Sequence, residues 1–579
     1  MYNFSFIIFI ILLLNNMKNI LFSLIFKFFK EQQSKTIFIV FISCLLNILK
    51  INVISFISAN IIKAIQGNNI ISAYTYYKYF IVISIIFILL YNYYKILQTH
   101  LLSKLRQWVR HYIIKTLFYV NNENLSHINF TKINTPIFRI ASNCFYFFNN
   151  IISSFIPNIT LLLIVTLYFM YNNVVFGFIF LVGNIIALLY IYVFWNQMME
   201  YNNKYENSVI ENESYIVEIL NNFEKIIYRG ESENEIDNLF NHSTKMIDLG
   251  YEFYKNNTNH ALVLNIIIFS LIFILIYYLI VLYSTKKIDS TIFITFITIL
   301  LLYRDIILTS IQQVPEYVEF IGRSLSIYDL LNIPNIDNIN IDGTDYKNIN
   351  LDFNSIKFRN IKFKYKNKNH IVETKLEEPN KYVINNFNLD IIANNKIVGI
   401  TGVSGIGKST LAKLLIKLYK YDGDILIDNI NIKDIDTTYI RKNIIYVNQN
   451  SKLFDKKIIE NILYGCKNND NINKCHEHLN FILKFKKINE LYKNIDFNKN
   501  AGLSGENISG GQRQVVNIIN GLIIPSNIVI LDEPTNALDK DLKKDIIEII
   551  NHFKKYKKCI IIISHDKDIY PIFDQEIQI

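Results

Sequence analysis

The stretch "KIVGITGVSGIGKST", Lys396 to Thr410, runs from an apolar strand pattern into Gly402, Gly405, Gly407, Lys408 and Ser409, the spacing G-x-x-x-x-G-K-S. Glycines at those positions let backbone N–H groups curl round a phosphate, with Val403, Ser404, Ile406 and Thr410 completing the loop and the first helical turn. Lys408 can reach β- and γ-phosphates, Ser409 can ligate Mg2+, and the helix that follows turns its positive end to the anion. "NIVILDEPTNALD" brings carboxylates: the strand Ile528 to Leu531 delivers Asp532 to the metal and Glu533 beside it, where it can polarise a water. "IIIISHD" sets His565 at the end of a further buried strand, within reach of a γ-phosphate or that water. A second anion-gripping shape, "ENISGGQRQ", opens a helix with Ser509, Gly510, Gly511 and Gln512. The chemistry these types suit is nucleotide phosphoryl transfer, in which position and charge do most of the catalysis.

Strands ending at the motifs imply an α/β P-loop domain, and the rest of the chain reads differently. Of its 579 residues 51% are hydrophobic, and the mean hydropathy is positive. Apolar runs fill the part before about Ser326, whereas polar spacers and Gly-rich motifs dominate after about Pro334. Six segments are long enough for a hydrocarbon core, which needs about 20 apolar residues as helix. They lie near Thr36 to Ile65, Tyr77 to Leu97, Phe155 to Tyr171, Val174 to Phe194, Ala261 to Tyr283 and Thr291 to Ser310. A "YNN" turn makes a hairpin of the third and fourth. Long loops after the second and fourth segments hold Lys104, Arg106, Arg110, Lys115, Lys204, Lys225 and Arg229, which places them, both termini and the nucleotide domain on the cytoplasmic side by the positive-inside rule.

The net charge of +10 is scattered, without the basic face that a nucleic-acid partner needs, and reads as membrane-surface charge. Five dispersed cysteines argue against a disulfide framework, and "CHEH", Cys475 to His478, reads as a solvated face rather than a metal site. "FSFIIFIILLL" (Phe4 to Leu14) is too short to span. It is grouped with "NILFSLIFKFFK" (Asn19 to Lys30) as a helix lying at the lipid interface. Asn-X-Ser/Thr triplets such as Asn124 to Ser126 are chance in an Asn-rich chain.

The order Gly402 to Ser409, Gln449, "ISGGQ", "LDE", "ALD", His565 resembles the nucleotide-binding domain of an ABC transporter. The resemblance implies that Tyr365 stacks on adenine, that Gln449 touches Mg2+ and a membrane-domain loop, and that Asp539 joins the nucleotide site. It further implies that Ser509 to Gln512 meet the ATP held by another copy. One such set after six helices resembles a half-size exporter, working as a dimer with a second copy or a related chain. The divisions it implies are an interfacial segment 1–30, a transmembrane domain 31–332, a linker 333–355 and the nucleotide domain 356–579. The function implied is ATP-driven export with ATP and Mg2+; the alternative is an ATP-gated channel or nucleotide-sensing subunit on the same fold. Three departures stand out: Leu503 where a glutamate is usual, "VVNIING" (Val515 to Gly521) in place of an arginine-bearing run, whose loss is expected to loosen packing, and a short tail after His565. Lys50, Lys95 and Arg304 fall inside apolar segments, where charge faces a partner or a wet cavity. Asp305 can answer one of them, which leaves an anionic or zwitterionic cargo as the expectation.

Overall fold

The computed structural model of the chain describes residues 20–120, 130–331, 350–365, 382–403, 405–449, 451–466, 469–493, 497–536 and 538–579. Phe4 to Leu14, Asn124 to Ser126, Ser404 and most of the expected linker lie outside them. The described residues cluster into two compact units, essentially residues 20–116 with 130–331, and residues 350–579.

The first unit is all helix. Gln33–Ile48, a π-helical turn Leu49–Val53 and Ile54–Gln66 run consecutively. Ile70–Val120, Phe130–Asn150 continuing through a second π-helical turn into Ile156–Asn172, Val174–Asn221, Ser232–Ser284 and Ser290–Leu331 follow. Among the described residues five helices are long and apolar enough to cross a membrane, and the broken pair Gln33–Gln66 makes a sixth apolar passage. Among the described residues the expected long loops are largely helix: Ser232–Ser284 has 53 residues, about 80 Å at ~1.5 Å per residue, far beyond a bilayer core. The hairpin turn is a single residue, Asn173, whose Oδ1 caps the next helix by accepting from Phe176 N at 2.9 Å. Gly177 permits this, because a Cβ there would sit 2.6 Å from Met170 N.

Aromatic rings fill this unit's core, with Phe296 4.5 Å from Phe169 and 4.8 Å from Phe176 between centroids. Helix Ile20–Glu31 buries Leu24 and Phe28, the latter edge-on to Trp108, and exposes Phe26. Of the three basic residues in apolar segments, Arg304 donates to Asp305 at 2.9 Å and Lys95 to Gln98 at 3.1 Å, while Lys50 is an exposed member of the first π-helical turn. Glu206 is fully buried and accepts from Arg323 Nε at 3.1 Å; Arg323 also pairs with Glu319.

The second unit holds two sheets. β1 (Ser355–Phe363), β2 (Ile384–Ile392), β4 (Asp422–Ile427) and β5 (Ile430–Asn431) form an antiparallel sheet in the order β2-β1-β4-β5. β3 (Lys396–Thr401), β6 (Ile444–Val447), β7 (Ile528–Asp532), β8 (Cys559–Ile563) and β9 (Gln575–Gln578) form a parallel sheet in the order β6-β7-β8-β3-β9. β7 and β8 are buried along their whole lengths, as strands covered on both faces must be, so they read as unbroken apolar runs. One strand, β9, does follow His565 and pairs with β3 from Val398↔Gln575 to Thr401↔Gln578.

Two smaller expectations are corrected in this unit. Cys466 and Cys475, nine residues apart, are joined by a disulfide, the second of them on helix Asn469–Ile482. The "VVNIING" run is tightly held: Val515, Val516, Ile518 and Ile519 are at most 1% exposed. Asn517 Nδ2 donates to Ser451 O at 3.0 Å, and Asn520 Nδ2 to Ile462 O and Tyr464 O at 2.7 and 2.8 Å. Two asparagines thus tether this run to the segment between Ser451 and Tyr464.

Candidate nucleotide site

β3 ends at Thr401, and the chain turns through Gly402 at φ +139° and Gly407 at φ +105° into helix Lys408–Leu415. Side chains are strained at such angles, and a Cβ on Gly402 would also lie 2.3 Å from Ile579 O. Lys408 is buried at the helix start, its Nζ donating to the carbonyls of Gly402 and Val403, both at 2.9 Å. Val403, Gly405 and Ile406 are exposed on the outside of the loop. Thr410, one turn in, shares a 3.0 Å hydrogen bond with the hydroxyl of Tyr365, whose ring stands edge-on to Tyr419. The aromatic assigned to adenine is therefore brought to the phosphate loop.

The parallel register sets β7 and β8 beside this loop and carries the acids to it. Ser409 Oγ donates to Asp532 Oδ1 at 3.0 Å, and the other carboxylate oxygen accepts from Tyr446 at 2.7 Å. Burial first, then the charge and hydrogen bond of Asp532, push the Tyr446 hydroxyl far above its ordinary range, so it stays a donor. Hard oxygens of Ser409 and Asp532 converge as a small divalent cation requires. Gln449 is exposed and lines a cavity of about 240 Å3 together with Asp532, Gly510, Gln514 and Asn517.

Glu533 takes φ +51°, unusual for a residue with a side chain, and its N–H donates to Ile563 O at 2.8 Å. That turn aims the carboxylate at β8: Oε1 lies 2.7 Å from His565 Nδ1. Gln514 Nε2 fixes the turn from behind, donating to Glu533 O and Pro534 O at 2.8 and 2.9 Å. The segment after His565 is pinned by Asp566, which accepts from Thr535 Oγ1 and pairs with Lys543, both at 2.7 Å. Burial opposes its charge, yet these hydrogen bonds hold its carboxyl below the usual range.

Residues 384–536 match the ABC transporter family. Over 234 residues the chain is 38% identical to a putative export ATP-binding/permease protein of Rickettsia typhi, covering 40% of this chain and 37% of that one. It is 32% identical over 211 residues to an ATP-dependent lipid A-core flippase of Pasteurella multocida, covering 36% and 34%. These matches span little more than a third of either relative's length. A bacterial Atm1-family ABC exporter solved with ATP bound shares the fold across 95% of this chain and 93% of its own, with a TM-score of 0.77 and 17% identity. The chain thus shares the fold of that exporter: a helical unit with apolar helices long enough to cross a membrane, followed by an α/β domain.

In the α/β unit the signature residues lie at the start of a helix of their own, with Gly510 on the cavity that Gln449 and Asp532 also line. Ser509 caps helix Gly510–Ile523 in a capping box with Gln512, N–H to Oε1 2.8 Å and N–H to Oγ 3.2 Å, with Gly510 and Gly511 in its first turn. Asp539 caps Lys540–Phe553 by accepting from Leu542 N at 2.9 Å. Among the described residues no hydrogen bond joins either group to the phosphate loop of the same chain. Tyr446, Gln514 and Asn517 escaped the sequence reading, since a tyrosine on a strand and amides on a helix carry no motif of their own. At "CHEH", Cys475 is in the disulfide and His478 packs on Phe553 and Tyr556; no cluster of three or more metal-ligating side chains occurs among the described residues.

Proposed function

We propose that the chain is a half-size, ATP-driven exporter working as a dimer with a second copy or a related chain. The observation that carries this is the pairing of Ser409 with Asp532 and of Glu533 with His565 in a chain whose other unit is a set of long apolar helices.

Lys408 leaves its two carbonyl partners to hold β- and γ-phosphate oxygens, Tyr365 stacks on adenine, and the loop amides with the helix N-terminus complete the cradle. Ser409, Asp532 and Gln449 would hold Mg2+, which when bound neutralises charge on the phosphate oxygens. Glu533 orients and polarises the attacking water, and His565 keeps that carboxylate in place. The signature set and Asp539 are free to meet ATP on the partner's phosphate loop, so each site needs two chains. Closure of the two domains moves the helices, and hydrolysis resets them. The nucleotide domain and both termini lie on the cytoplasmic side, lipid surrounds the helices, and nucleic acid has no role.

The names of the relatives, an export permease of unstated cargo and a lipid A-core flippase, leave the cargo open. Because Asp305 takes up the charge of Arg304, the preference for an anionic or zwitterionic cargo rests on Lys50 and Lys95. The test is reconstitution in liposomes. Vanadate-sensitive ATPase stimulated by one cargo class supports the proposal. Passive ion current opened by a non-hydrolysable ATP analogue, with no turnover, would point to the channel instead.

A further inference from the structure

Tyr446 stands on β6, paired with Ile530 of β7, so its ring lies beside the strand that ends in Asp532. Its hydroxyl donates to Asp532 Oδ2 at 2.7 Å, while Ser409 donates to Oδ1 of the same carboxylate at 3.0 Å. Asp532 is 5% exposed, which leaves little water to replace either donor. The terminal torsion of an aspartate is soft, with a broad two-fold profile, so a single donor on Oδ1 leaves the plane of the carboxylate free to rock. The second donor, from a different element, fixes that plane. Carboxylates that ligate metals depend on such outer partners for orientation, and their loss typically costs about 10- to 100-fold in metal affinity.

We propose that Tyr446 is a positioning residue that locks the Asp532 carboxylate so that Oδ1, beside Ser409, faces the cation carried by ATP. The proposal rests on the reading of this domain as an ATP site that takes a divalent cation. Tyr446 has no part in gripping phosphate, a task left to Lys408 and the loop amides. It therefore acts on the metal and leaves metal-free nucleotide binding alone, a separation that a merely structural tyrosine would not produce.

The experiment uses the full chain in detergent micelles, in a Glu533→Gln background that suppresses turnover. ATP affinity is measured with excess Mn2+ and again in EDTA, and the ratio of the two reports what the protein gains from the metal. Tyr446→Phe keeps the ring and removes the donor. The ratio should fall by about 10- to 100-fold, with affinity in EDTA unchanged. An unchanged ratio overturns the proposal, and so does a loss of the same size in both conditions, which would make Tyr446 structural. If the background chain itself gains nothing from Mn2+, the metal site assigned to Ser409 and Asp532 is wrong, and this inference goes with it.

Discussion

Lys557 is 4% exposed, and its ammonium lies among the end of the signature helix and the start of β8, donating to Ile524 O and to Ser526 Oγ at 3.0 Å. No carboxylate answers it in those contacts, and burial lowers its amine from 10.5 to about 7. The folded chain thus holds fewer protons than the unfolded one between those values, so stability rises with pH from about 7 to 10.5 and the full penalty is present below 7. At ~1.4 kcal/mol per unit the penalty is about 4–5 kcal/mol at pH 7 and about 1–2 at pH 9.5. Lys557→Met removes it but leaves the Ile524 carbonyl without its partner, a loss of about 1–3 kcal/mol. The variant should therefore be more stable than wild type at pH 7 and lose about 3 kcal/mol of that advantage by pH 9.5; comparing the two chains at each pH cancels every other titration. Urea dependence of hydrogen exchange in β7 and β8 of the full chain reads the difference. A stability gap that stays constant between the two pH values would show that Lys557 is charged in the fold throughout, and the argument from burial would fail.

Glu533→Gln should bind ATP yet hydrolyse it about 10²- to 10⁴-fold more slowly, whereas Lys408→Ala should lose binding as well; wild-type turnover in the first removes the role given to Glu533. Arg323→Met leaves Glu206 buried without its partner, which should cost about 3–5 kcal/mol, seen as a lower midpoint of thermal unfolding in detergent. Adding Glu206→Gln should recover much of that loss, and a single variant as stable as wild type would show the pair to be idle. Asn520→Ala strips the donors from Ile462 O and Tyr464 O, and should weaken exchange protection in the signature helix by about 1–3 kcal/mol; undiminished protection would mean that the apolar face alone holds that helix.

The phosphate loop, Asp532, Glu533 and His565 were legible because phosphate chemistry demands fixed residue types at fixed spacings, each at the end of an apolar strand. The helical unit was legible from composition, but its lengths were not: charged stretches such as Ser232 to Lys255 look like loop because hydropathy reports the solvent and not the backbone. Tyr446 was invisible for a different reason. Its role comes from strand register, which sets β6 beside β7, and register is a tertiary fact. The same holds for the Cys466–Cys475 bond and for Asn517 and Asn520, whose partners are backbone carbonyls that no side-chain pattern announces.

The central claim is that two chains share each ATP site, and mixing two differently damaged chains tests it most directly. Lys408→Ala is inactive for its own phosphate loop and Ser509→Arg for its own signature, so each alone should form inactive dimers. In a mixed dimer one site carries both lesions and the other carries neither. Random pairing in proteoliposomes should restore about a quarter of wild-type ATPase if the two sites act independently, since half the dimers are mixed and each has one intact site of two. No recovery, in a sample shown by native mass spectrometry to contain mixed dimers, would contradict independently acting shared sites; full activity in either variant alone would contradict the site itself.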